Sequence, residues 1–215
     1  MIDDAIQRLD AARRVIGSRE LDTGEARVTT VTQAYASTVD DLWDSCTNPE
    51  RIPRWFLPVT GDLRVGGRYQ LVGNAGGTVE RCAQPRSFAA TWEYGGDVSW
   101  IEVELTELPE GGTQLTLNHI AHVADEFWEQ YGPGATGIGW ELALLGLSAH
   151  LSSGEAVDPA AAMAWTTSEA GRRFITLSSQ RWCDASILFG TPRAEARAAA
   201  DRVTEFYAPT VPAES

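Results

Sequence analysis

Residues 98–121 read VSWIEVELTELPEGGTQLTLNHIA, two alternating runs around a glycine pair. In 98–107, Ile101, Val103 and Leu105 fall on one face, and Trp100, Glu102, Glu104 and Thr106 on the other. That is the period of a strand with one wet side. In 113–121, Leu115, Leu117 and His119 share a face, and Gly111-Gly112 supplies the turn. The same grammar extends towards the N-terminus, where strand-like segments at 62–65, 67–73, 78–84 and 87–94 are punctuated by Gly66-Gly67, Gly76-Gly77 and Gly95-Gly96-Asp97. Ahead of them, 26–35 (ARVTTVTQAY) is rich in β-branched residues. Thr38 with Asp41 is a capping box for a short helix carrying Val39, Leu42 and Trp43. Asn48-Pro49-Glu50 opens a second, reaching about Trp55. Downstream, after a long aromatic linker over 122–135, 136–152 reads as a long helix with Trp140, Leu144, Leu147 and Leu151 on one side and Leu142 and Leu145 on another. Apolar almost all round, it must be buried on more than one side. The order strand, two short helices, six strands, long helix predicts an α+β fold. A curved antiparallel sheet grips the helix and leaves a cavity between them.

Both ends exceed this core. Ile2, Ile6, Leu9, Ala12 and Ile16 recur at helical spacing, with Asp3 and Asp4 early and Arg13 and Arg14 late. The spacing predicts an amphipathic helix over 2–17 that stops at Gly17, followed by a polar turn over 17–25. Beyond 156, Asp158-Pro159, Ser168-Glu169 and Gly190-Thr191-Pro192 open three further helices, the last reaching Tyr207. The chain divides into an N-terminal helical extension (1–22), a core domain (23–155), a C-terminal helical extension (156–208) and a tail (209–215).

The 215 residues are 43% hydrophobic and 22% charged, a globular composition. Net charge is −13, and all 17 basic residues are arginine. No lysine-dependent chemistry is available. The acidity argues against nucleic acid and anionic membranes as partners. Between Arg86 and Arg172 there is no basic residue against 13 carboxylates, so the middle of the chain carries the whole net charge. Glu93, Glu102 and Glu104 fall on the solvent face of the strands, which suits a basic partner there. Three dispersed cysteines, Cys46, Cys82 and Cys183, read as reduced, mostly buried thiols of a cytoplasmic protein. No run approaches the roughly 18 apolar residues of a membrane span.

NPERIPRWF followed by GDLRVGGRYQL resembles the family of activator-of-Hsp90-ATPase-homologue proteins in the START/Bet v 1-like (SRPBCC) superfamily. Asp62-Leu63-Arg64 with Gly66-Gly67-Arg68-Tyr69, Thr91-Trp92, Gly112-Thr113 with Leu115, Leu117 and His119, and Gly139-Trp140 continue the match in order. It covers about 26–153. Residues 170–208 resemble a tail of some actinobacterial members. The resemblance implies a helix-grip fold whose cavity binds apolar or aromatic small molecules. Some superfamily members are cyclases, aromatases or hydrolases, and the family's name comes from a co-chaperone.

Trp55, Phe56, Tyr69, Phe88, Trp92, Tyr94, Trp140 and Leu144 are candidate cavity residues, since aromatic walls with few polar handles suit a planar apolar ligand. His119, pointing with Leu115 and Leu117, is a candidate ligand contact or acid/base. Glu141 pairs with His119, faces outwards, or meets an arginine such as Arg68. His119 and His122, three apart on a strand, face opposite sides and make no metal site. No nucleophile motif, phosphate cradle or cofactor signature appears. The expected function is the binding of an apolar, near-neutral ligand. An enzyme using His119 and a co-chaperone-like or homodimeric interaction protein are the alternatives.

Overall fold

The structure is a computed structural model that describes residues 2–209. Eight antiparallel strands form one sheet in the order β1-β2-β8-β7-β6-β5-β4-β3. These are β1 (Arg13–Leu21), β2 (Gly24–Tyr35), β3 (Val59–Gly61), β4 (Arg68–Leu71), β5 (Gly76–Ala83), β6 (Ser87–Tyr94), β7 (Asp97–Glu107) and β8 (Thr113–Ala121). The helices are α1 (Ile2–Ala11), α2 (Val39–Thr47), α3 (Asp125–Tyr131), α4 (Gly134–Ser153), α5 (Pro159–Thr167), α6 (Glu169–Phe189) and α7 (Arg193–Tyr207). The α+β helix-grip expectation holds, with α4 lying across the curved sheet.

The alternation of 98–121 sets the register. Val103 faces Leu117, Leu105 faces Leu115 and Ile101 faces His119 across β7 and β8. Leu105, Leu115 and Leu117 join Val31, Leu144 and Leu147 in the principal core. The Thr38 side chain caps α2 by accepting from the Asp41 N–H, as its sequence predicts. The back of α4 is covered as well, for Leu142 and Leu145 pack against Leu9 of α1 and Phe174 of α6. This is why a helix apolar on nearly every side is stable here. Gly137 lets α6 approach α4 so closely that a Cβ would overlap the Trp182 ring.

Four expectations change. The N-terminal helix ends at Ala11, and Arg13–Leu21 is the sheet's edge strand, paired with β2 over its full length. The 1–22 extension is therefore half helix and half sheet. The β-branched pair Val15-Ile16 and the hairpin turn before Gly24 (φ 107°) outweigh the helical spacing. Residues 62–65 are a loop and β3 lies just before it, because the Asp62 carboxylate accepts from the backbone and guanidinium of Arg64 and withdraws that backbone from the ladder. The helix expected from Asn48 is a turn followed by a single 3₁₀ turn, Ile52–Arg54. Finally, 122–135 holds α3, whose last carbonyls accept from Arg202 of α7. No helix among the described residues is long and apolar enough to cross a membrane.

Candidate functional site

Alternation turns Ile101, Val103, Leu115 and Leu117 to the concave side of the sheet. Between them and α2, the 3₁₀ turn and α4 lies a cavity of about 330 Å³. Trp140 and Leu144, one turn apart on α4, form one wall, and Trp55 and Phe56 after the 3₁₀ turn form another. Tyr69 of β4 and Phe88 and Trp92 of β6 complete the sheet side. Among the described residues, Trp43 of α2 brings the aromatic side chains to seven, and no charged side chain lines the space. Gly146 sets the width at one end, since a Cβ there would stand 2.6 Å from the Trp55 carbonyl oxygen.

The rings form a continuous surface. Trp55 stacks on Phe56 (centroids 5.4 Å), Phe56 on Trp140 (6.5 Å), and Trp140 meets Trp92 at 4.9 Å. Two of the polar tips in this wall are spent on backbone carbonyls. Trp55 Nε1 donates to the Ser45 carbonyl at 2.9 Å, and the Tyr69 hydroxyl to that of Thr91 at 2.7 Å. Cys46 adds a thiol that burial pushes up to about 12, so it is a small apolar filler at neutral pH.

Seven of the nine candidates, all but Tyr94 and His119, are brought together around this space. Tyr94 ends β6 beside the Gly95-Gly96 turn and is 62% exposed. His119 is buried beneath Trp140 rather than exposed to the cavity. Its Nδ1 accepts from Trp140 Nε1 at 3.1 Å, and its Nε2 meets Ser99 Oγ at 2.8 Å. Ser99 Oγ in turn donates to the Trp92 carbonyl at 3.0 Å. Burial alone lowers the His119 pKa to about 4, so the ring is neutral at physiological pH. With both nitrogens engaged, it offers neither a base nor a donor to a ligand.

Glu141 does not meet His119 or Arg68. It is buried on the opposite side of α4, in an ion pair with Arg14, and accepts from the Ser178 hydroxyl. Burial holds its carboxyl above the ordinary range, against the pull of Arg14 and Ser178. Arg68 pairs instead with Glu93, and Glu102 with Arg19 and Arg81, so two of the three outer-face carboxylates are already matched. His122 bonds Thr23 and the Glu25 carbonyl, and no group of potential metal ligands exists among the described residues. All three cysteines are free, but Cys82 is exposed rather than buried. The sequence reading missed Trp43, Cys46 and Thr47 as wall residues. Their i, i+3, i+4 spacing on α2 is the signal that would have placed them on one face.

The model of the family described as Activator of Hsp90 ATPase homolog 1-like protein matches residues 36–152. CalU16 from Micromonospora echinospora is similar over most of both chains. Its crystal structure is 36% identical with a TM-score of 0.60, covering 78% of this chain and 98% of that one. Its solution NMR structure gives 33% identity and a TM-score of 0.67, covering 85% and 97%. MLL2253 from Mesorhizobium loti, 20% identical with a TM-score of 0.52 over 59% of this chain and 97% of its own, shares the fold. No curated protein matches the sequence.

Proposed function

The chain belongs to the Activator of Hsp90 ATPase homolog 1-like family, and we propose that it is a cytoplasmic protein that holds a planar apolar or aromatic small molecule between the sheet and α4. One observation carries this reading: a cavity of about 330 Å³ whose wall, among the described residues, has seven aromatic side chains and no charged one. That volume is at the lower end of small-molecule sites, which span roughly 300–1,000 Å³. The indole and phenol tips that bond to the protein leave mainly ring faces and edges to the ligand, and these select flat apolar shapes. A charged ligand would lose its hydration with nothing to replace it. Binding is favoured over acid/base chemistry because both His119 nitrogens are committed to protein partners. The free cysteines support a reducing compartment.

The test uses N-phenyl-1-naphthylamine, a neutral flat fluorophore. Saturable one-to-one binding with blue-shifted emission, weakened in Trp92→Ala, is expected. Absence of saturable binding by the folded protein would overturn the proposal.

A further inference from the structure

We propose that Ser99 and His119 are positioning residues of this cavity, holding the Trp140 indole, and with it the aromatic wall, in the orientation that admits a flat ligand. This rests on the binding reading above. Trp140 is the hinge of the wall, in ring contact with both Phe56 and Trp92. Its Nε1–H is a donor only, on a ring in apolar surroundings, and must find an acceptor. His119 Nδ1 is the acceptor provided. The other end of the chain is the Trp92 carbonyl, which can only accept. Both ends fix the direction of every link. Trp140 N–H donates to Nδ1, the Nε2–H donates to Ser99 Oγ, and the Ser99 hydroxyl donates to Trp92. The relay therefore ties the side chain of one cavity tryptophan to the backbone of another, through a histidine that never touches the ligand.

The arrangement works only with a neutral imidazole. A proton on Nδ1 would set donor against donor at Trp140 Nε1. His119 stands opposite Thr29 of β2 and Ile101 of β7 in the ladder, and its ring nitrogens bond Ser99 of β7 and Trp140 of α4; none of the four is ionisable. None of these four stabilises the cation, in keeping with a pKa lowered by burial. Acid should thus loosen the wall before it unfolds the protein.

The experiment follows N-phenyl-1-naphthylamine affinity and the Trp140 indole N–H resonance, identified by its loss in Trp140→Phe, from pH 7 to pH 4. In the wild type, the resonance should shift and affinity should fall as His119 takes up its proton. His119→Leu should weaken binding about tenfold at pH 7, the worth of roughly one hydrogen bond. His119→Gln, whose amide keeps one donor and one acceptor, should recover much of that loss and remove the pH dependence. Ser99→Ala, which leaves the imidazole in place, should shift the Trp140 resonance and weaken binding less. The proposal fails if the Trp140 resonance is the same in wild type, His119→Leu and Ser99→Ala, or if His119→Gln keeps the wild-type pH profile. A wild type that shows the resonance shifts but binds no probe would sink the binding reading while leaving the relay intact.

Discussion

Trp140 and Glu141 are adjacent on α4, yet they face two interiors built on opposite principles. On Trp140's side, the linked indole, imidazole and hydroxyl are neutral, each donor in that chain has one acceptor, and the packing leaves a void. On Glu141's side, a carboxylate and a guanidinium are buried together, with side-chain exposures of 3% and 5%. Arg14 also donates to the Leu9 and Ala12 carbonyls at the end of α1, and lies 5.9 Å from the Trp182 ring. One helix thus has a face that borders a cavity and a fixed face that locks α1, β1 and α6 onto the core. The terminal segments are the structural backing of the cavity wall.

Breaking the fixed side should cost the most. Glu141→Leu strands the Arg14 charge and should destabilise the protein by about 3–5 kcal/mol in urea unfolding. Adding Arg14→Met should restore much of it, and a double variant no better than the single one would contradict an ion-pair lock. The relay should show itself through pH. The His119 pKa is lowered from 6.5 to about 4 on folding. The folded state therefore binds fewer protons between those values, and stability should fall as pH drops from about 6.5 towards 4. The loss is up to about 3 kcal/mol and should be absent in His119→Gln.

Truncations on α4 separate packed from hollow. Leu147, buried in the core away from the cavity, should cost about 4 kcal/mol as alanine, while Leu144, which already borders a void, should cost nearer 2 kcal/mol. Only Leu144→Ala should change probe binding. Tyr94→Ala should stay within about 0.5 kcal/mol of wild type and leave binding unaltered.

The part of this comparison legible in sequence was the part written as a local period. Alternation over 98–121 placed Ile101, Val103, Leu115 and Leu117 on the cavity side, and helical spacing put Trp140 and Leu144 on one wall. The direction of the His119 side chain was also legible, but its commitment was not. Ser99 lies twenty residues away and Trp140 twenty-one, on different elements, so only the tertiary fold brings them together. The partner of Glu141 was hidden for the same reason, being 127 positions away on a strand that helical spacing disguised. Tyr94 shows the converse limit. Its register is that of its strand, but burial depends on what covers the strand's end, which the pattern does not encode.

The most direct test of the account fills the hollow side alone. Ala90, 3% exposed on β6, borders the cavity, and Ala90→Phe would place a ring in the space proposed for the ligand. Titration of N-phenyl-1-naphthylamine into wild type and Ala90→Phe, with unfolding followed on the same samples, compares the two. The account predicts saturable binding to the wild type and at least about a tenfold loss in a variant that still unfolds cooperatively. Equal affinity in the two folded proteins would place the ligand elsewhere and contradict the claim.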